Sequence, residues 1–329
     1  MNDARIELGR SGLRVAPLCI GTWQLSGAWG RDTSQGAAAV RHAFDRGLNF
    51  FDTAYAYGWG SAEEGLGRAL ADLIRTRRDE LVIVTKGGVR PANGGYERNS
   101  DAPVLRGMIE NSLRLLGTDH VDLFLIHWPD PSVAFDDTAR VLEGFVRDGL
   151  ARRVGVSNFS VEQMNAFSAG GRIAAVQVPY CAVRQGVERE VIPHCAANGI
   201  GIMGHAALAH GLLSGSVLRG GSFASDDWRV NAREFKGPDF ERRLTIAEAL
   251  AAIAAGQGCT LAELSLAWVR AHPAGVIPVV GVQRPADVDS CLRALELRLD
   301  DAVLQAIRSL GAQAPEPEST TIAIRTPAG

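Results

Sequence analysis

The chain has 329 residues, a formal net charge of −3 and a sequence pI near 6.2. That charge excludes the broad positive field needed to hold nucleic acid or an anionic membrane, so the expected partner is a small molecule. No run of 18 apolar residues occurs, and Asp3, Arg5, Glu7 and Arg10 interrupt the N-terminus where a signal peptide needs an apolar stretch, so the expectation is a cytoplasmic protein.

The predicted elements alternate along the chain. Ahead of them, residues 5–17 read as two short extended pieces joined at Arg10-Ser11-Gly12, a hairpin suited to close one end of the fold. Eight short Val- and Ile-rich runs follow, at residues 18–24, 50–54, 81–86, 121–127, 153–158, 175–180, 200–206 and 276–281. Segments of helical period separate them. Asp101, Asp136 and Ser160 stand where helix N-caps belong, and Gly47, Gly117, Gly149 and Gly199 stand where helices stop. Several of the runs, such as residues 121–127, are nearly continuous hydrophobes, which suits strands covered on both faces. Eight such repeats favour an α/β fold with a closed parallel (β/α)8 TIM barrel and an N-terminal β-hairpin, in one domain over residues 1–312. Residues 214–239 form a long Gly- and Ser-rich connection, and residues 313–329 read as a loosely ordered tail. Cys19, Cys181, Cys195, Cys259 and Cys291 are too dispersed for a metal site or a disulfide framework.

Chemistry in a parallel barrel gathers at the carboxyl ends of the strands. Asp52, Lys86 and His127 close three consecutive apolar runs, and Tyr57 follows Asp52 by one short loop. Each has an ordinary structural explanation taken alone. Lys86 is nevertheless one of only two lysines among 34 basic residues, the other being Lys236, so its choice over arginine is specific. Together the four compose an acid catalyst. A phenol titrating near 10 needs roughly 4 kcal/mol of anion stabilisation to work near neutrality, which a nearby ammonium is expected to supply. On this reading Asp52 keeps Lys86 charged, Lys86 assists Tyr57, and His127 orients a substrate oxygen.

The elements D-T-A-x-x-Y at 52–57, T-K at 85–86 and L-I-H at 125–127 resemble the catalytic tetrad of the aldo-keto reductase superfamily. G-T-W at 21–23, W-G and D-D-W resemble its bacterial and potassium-channel-β-like branch. The resemblance implies an NAD(P)-dependent oxidoreductase that transfers a hydride between a nicotinamide and the carbonyl of an aldehyde, ketone or keto-sugar. It implies Ser157, Asn158 and Gln177 at the carboxamide, with Thr22, Trp23 and Asp52 beside the cofactor. Trp23 and Trp128 are expected to wall the substrate space with Tyr57 and His127.

Departures begin at the seventh predicted strand. His205 and Ala206 stand where relatives have a stacking aromatic ring and a serine, while Leu208, Gly211 and Leu213 keep the pyrophosphate segment. Gly281 is followed by Gln283 where relatives carry arginine, with Arg284 beside it and Asp287 placed to repel a phosphate. NADP(H) is still expected over NAD(H), with Arg284 compensating. Two other functions fit the same residues: a nucleotide-binding redox sensor of the channel-β-subunit type, and an alcohol or sugar dehydrogenase running in reverse. The oligomeric state is unreadable from the chain.

Overall fold

A computed structural model of the chain describes residues 5–29, 33–93, 95–218, 223 and 227–316. Its centre is a closed barrel of eight parallel strands: β3 (Cys19–Gly21), β4 (Phe50–Asp52), β5 (Val82–Gly87), β8 (Val121–Ile126), β9 (Ala151–Ser157), β10 (Ala175–Pro179), β11 (Gly201–His205) and β12 (Ile277–Gly281). Pairing runs in that order and closes through β12 onto β3, where Gly281 lies opposite Gly21. Every residue of β3, β4, β5 and β8 is buried, as expected of strands covered on both faces. The strands begin and end within two or three residues of the predicted runs; β3 falls furthest short of its run, because the chain turns into a 3-10 helix at Trp23–Ser26.

The helices α1 (Ser34–Asp45), α2 (Ser61–Ala69), α3 (Ala71–Thr76), α4 (Ala102–Leu116), α5 (Phe135–Arg147), α6 (Val161–Ser168), α7 (Val191–Asn198), α8 (Gly237–Gly256), α9 (Leu261–Arg270), α10 (Pro285–Glu296) and α11 (Asp301–Gly311) pack around it. Among these described elements, no single helix is long and apolar enough to cross a membrane. Ser160 caps α6 through a reciprocal pair with Gln163. Asp101 occupies the N-cap of α4 without a side-chain bond, and Asp136 is not a cap: α5 starts one residue before it, placing its carboxylate in the first turn. There it still favours the positive end of the helix dipole.

The expected hairpin is present as β1 (Ile6–Glu7) and β2 (Arg14–Val15), paired antiparallel. It seats against the amino end of β11, where Arg10 donates its N–H to the Gly199 carbonyl and Arg153 Nε donates to the Ser11 carbonyl at 2.6 Å. Gly9 has φ +59°, and a Cβ there would come within 2.3 Å of the Gly201 nitrogen, so close approach and conformation both require glycine. A second hairpin, β6 (Val89–Ala92) with β7 (Gly95–Arg98), rises beyond β5 and has no counterpart in the sequence reading. Of the long connection, the described residues form 3-10 turns at Trp228–Val230 and Arg233–Phe235. At the start of the tail, Glu316 accepts from the Gly186 N–H at 2.8 Å; residues 317–329 lie outside the description.

Candidate active site

The parallel register brings the strand ends together at one mouth of the barrel. Asp52 ends β4, Lys86 lies near the end of β5, and His127 follows β8 with its N–H on the Gly87 carbonyl. Tyr57 reaches back over them from the turn preceding α2. Lys86 Nζ donates to Asp52 Oδ2 at 2.7 Å, to the Thr53 carbonyl at 2.9 Å and to the Tyr57 hydroxyl at 3.2 Å. All three ammonium protons therefore have acceptors. The His127 ring stands edge-on to Tyr57, with centroids 5.6 Å apart, and its Nδ1 is buried without a partner.

The electrostatics differ from the sequence expectation in one respect. Burial pushes the Tyr57 phenol above its ordinary value of 10; attraction to Lys86 opposes the rise, and the Asp52 charge adds to it. Burial works against the Lys86 ammonium, yet Asp52 and Tyr57 together hold its pKa above the usual lysine value. Burial first, and Lys86 second, drive His127 well below 6.5. The cluster at neutral pH is thus a protonated phenol, an ammonium paired with a carboxylate, and a neutral imidazole.

This cluster floors a cavity of about 730 Å³, within the roughly 300–1,000 Å³ range of small-molecule sites. Thr22, Trp23, Asp52, Tyr57, His127, Ser157, Asn158, Gln177, His205, Ala206, Leu208, Gly211, Gly281, Gln283, Arg284 and Asp287 all border it. Lys86 lies beneath Tyr57, and Leu213 is buried behind the lining. Trp128 does not reach the cavity: it lies under the Arg98 guanidinium of β7, 5.2 Å from its ring centre. The aromatic wall comes instead from Trp23 with Trp29 and Trp228, each 5.2 Å from Trp23 between centroids. The W-G and D-D-W elements contained these two tryptophans, but spacing alone gave no sign that distant segments would converge on Trp23.

The amides near the floor have definite commitments. Gln177 Nε2 donates to Asp52 Oδ1 at 2.7 Å, which leaves its Oε1 to accept. Asn158, with φ +63°, donates Nδ2 to the His127 carbonyl and to Ser157 Oγ, and its Oδ1 is 3.1 Å from His205 Nε2. Ser157 Oγ, acting there as acceptor, keeps its own proton for a ligand. His205 is held neutral chiefly by burial. Beyond it Ala209, His210 and Gly211 all have positive φ, a backbone arrangement suited to turning amides toward an anion.

At the far end of the cavity, Asp287 accepts from the N–H groups of Gln283 at 2.9 Å and Arg284 at 3.2 Å, and Arg284 Nε pairs with its Oδ1 at 3.2 Å. The acidic group expected to repel a phosphate therefore also caps α10 and holds the compensating arginine.

The fold and site define an oxidoreductase of the (β/α)8-barrel class, with an Asp–Tyr–Lys–His cluster at the carboxyl mouth. The sequence model of the aldo/keto reductase family matches residues 17–312, and the chain belongs to that family of NAD(P)-dependent enzymes. It is 34% identical over 302 residues to a 6-dehydroglucose reductase of Novosphingobium aromaticivorans, covering 89% of this chain and 90% of that one. The structure of a glycerol dehydrogenase from Gluconobacter oxydans superposes with a TM-score of 0.84 at 30% identity, covering 98% and 99% of the two chains. An aldo/keto reductase from Klebsiella pneumoniae, solved with NADP and acetate, superposes with a TM-score of 0.71 at 28% identity over 96% of each chain.

Proposed function

We propose that this enzyme reduces the carbonyl of an aldehyde, ketone or keto-sugar, with Tyr57 as the general acid and base. The observation that carries the reading is the 3.2 Å contact between the Tyr57 hydroxyl and Lys86 Nζ, with Asp52 completing the ammonium's shell. A reduced nicotinamide, when bound, supplies the hydride. Tyr57 is protonated at neutral pH and gives its proton to the substrate oxygen; Lys86 then stabilises the phenolate that remains. Neutral His127 donates one N–H to the same oxygen and orients it. Trp23, Trp29 and Trp228 form the apolar wall that excludes water from the reacting atoms.

Ser157 and Gln177 are the proposed carboxamide partners, with Asn158 and His205 locked behind them. NADP(H) is the proposed cofactor, in preference to NAD(H). Support comes from the NADP complex of the Klebsiella relative and from Arg284 at the adenosine end of the cavity. The names of the glucose-derived and glycerol-oxidising relatives support a hydroxylated substrate and a reaction that runs in either direction. The test is nicotinamide absorbance during turnover of aldehydes, ketones and keto-sugars with each cofactor. Reduction by wild type together with its loss in Tyr57→Phe is the expected result; undiminished reduction by Tyr57→Phe overturns the assignment.

A further inference from the structure

Outside the cavity, between the barrel wall and its helices, lies a buried carboxyl group that the proposed chemistry does not use. Glu63, in the first turn of α2, is fully buried; its Oε1 is 2.5 Å from Thr85 Oγ1, and the Ser112 hydroxyl of α4 also acts on the carboxyl. Such a group costs stability that an apolar side chain of similar size would not, so its position invites a mechanical explanation. Thr85 immediately precedes Lys86 on β5. Side chains alternate along a strand, so Thr85 faces α2 while Lys86 faces the barrel interior.

Glu63 is also linked along the chain to the other reacting residue. The turn bearing Tyr57 runs directly into α2, and the Ala62 N–H donates to the Tyr57 carbonyl at 3.2 Å. A ring of short links therefore closes through the barrel wall, from Tyr57 to Ala62, along the chain to Glu63, across to Thr85, along β5 to Lys86, and back to the Tyr57 hydroxyl. The Glu63–Thr85 bond is its member on the helical side. The same two residues are also tied by the Tyr55 N–H on the Lys86 carbonyl at 3.3 Å, by Lys86 Nζ on the Thr53 carbonyl at 2.9 Å and by their own 3.2 Å contact, and the Glu63–Thr85 bond adds a brace from the helical side.

We propose that Glu63, acting through Thr85, is a positioning residue that sets the separation of the Tyr57 hydroxyl from the Lys86 ammonium. The inference rests on Tyr57 as the proton donor and Lys86 as its cation. It requires a hydrogen-bonding group at 63 and a hydroxyl at 85, and does not require a charge. Glu63→Gln and Thr85→Ser preserve those groups; Glu63→Ala and Thr85→Val remove them.

The experiment measures kcat, KM, cofactor Kd and Tm for these four variants alongside Tyr57→Phe. Glu63→Gln and Thr85→Ser are expected to keep kcat within about twofold, while Glu63→Ala and Thr85→Val lose about tenfold or more, because small misplacement of reacting groups is costly. KM and cofactor Kd should move less than about threefold. Thr85→Val is nearly isosteric and decides the matter if Glu63→Ala does not fold. A Thr85→Val enzyme with wild-type kcat and only a lowered Tm overturns the proposal, as does Glu63→Gln with the same kcat loss as Glu63→Ala. Tyr57→Phe separates the two readings: if it retains reduction, the proton-donor assignment itself is wrong; if it is inactive while Thr85→Val is normal, only the role of Glu63 fails.

Discussion

Gln177 and Lys86 hold opposite oxygens of the same carboxylate: Gln177 Nε2 donates to Asp52 Oδ1 and Lys86 Nζ to Asp52 Oδ2, both at 2.7 Å. The Asp52 carboxylate is thereby held in place beside the ammonium, and its effect on Tyr57 is opposite to that of Lys86. The Lys86 charge lowers the phenol's pKa and the Asp52 charge raises it. Lys86→Met should therefore move the alkaline limb of the rate profile for alcohol oxidation to higher pH as well as lowering kcat. Asp52→Asn should lower kcat without that upward movement, because Tyr57 and the Thr53 carbonyl still hold the ammonium. Matching upward shifts in both variants would contradict this opposition of charges. Lys236→Met, distant in sequence and absent from the cavity lining, serves as the control.

Tyr57 and Tyr55 lie on the same turn, yet only Tyr57 borders the cavity. Tyr55 places its ring 6.0 Å from Trp59. Tyr57→Phe should remove most carbonyl reduction, on the order of a hundredfold or more for loss of the general acid, and leave cofactor affinity nearly unchanged. Tyr55→Phe should stay within about threefold of wild type. Steady-state kcat with a fluorescence titration of the cofactor separates the two, and equal losses would remove Tyr57 from its role.

The buried Glu63 also governs stability. Burial raises its pKa from 4.5 to about 7, against smaller opposing contributions from Thr85, Ser112 and Lys86. Below pH 4.5 both folded and unfolded chains carry this proton; between 4.5 and about 7 only the folded chain does. Stability therefore falls as pH rises through that window, by about 3 kcal/mol in total, and the loss is complete above it. Glu63→Gln cannot ionise. The difference in Tm between Glu63→Gln and wild type should be smallest near pH 4.5 and should grow in favour of the variant up to about pH 8. A difference independent of pH would mean that Glu63 is already ionised when folded.

The barrel was legible because strands buried on both faces leave uninterrupted apolar runs, and those runs end in the polar residues of the mouth. Asp52, Lys86 and His127 could be found that way, since strand ends fix where their side chains emerge. Trp29 and Trp228 could not: they sit on connections about two hundred residues apart in sequence, and only the closed fold brings both to Trp23. The same limit explains Trp128. Its position after β8 suggested the mouth, but the unanticipated β6–β7 hairpin offers the Arg98 guanidinium as a competing partner. The net electrostatic balance at Tyr57 was equally inaccessible, because it depends on how deeply the phenol is buried.

The adenosine end joins a departure in sequence to a defined geometry. Arg284 is the cation proposed to meet a 2′-phosphate, and its Nε is engaged by Asp287, whose other oxygen accepts the Gln283 and Arg284 N–H groups. The arginine side chain is 69% exposed, so its bond to Asp287 is weak and exchangeable. On this assignment the 2′-phosphate of NADPH competes with Asp287 for the Arg284 guanidinium, and NADH does not. Arg284→Ala should accordingly weaken NADPH by about tenfold or more and scarcely change NADH. Asp287→Asn should strengthen NADPH relative to NADH, since it removes a repelling charge and releases the arginine, and Gln283→Arg should do so by adding a second cation. The measurement is the ratio of dissociation constants for the two dinucleotides, followed by quenching of tryptophan fluorescence, in wild type and each variant. A wild type that already prefers NADH, with a ratio unmoved by Arg284→Ala, would assign the pocket to the unphosphorylated ribose and overturn the NADP(H) proposal while leaving the carbonyl chemistry intact.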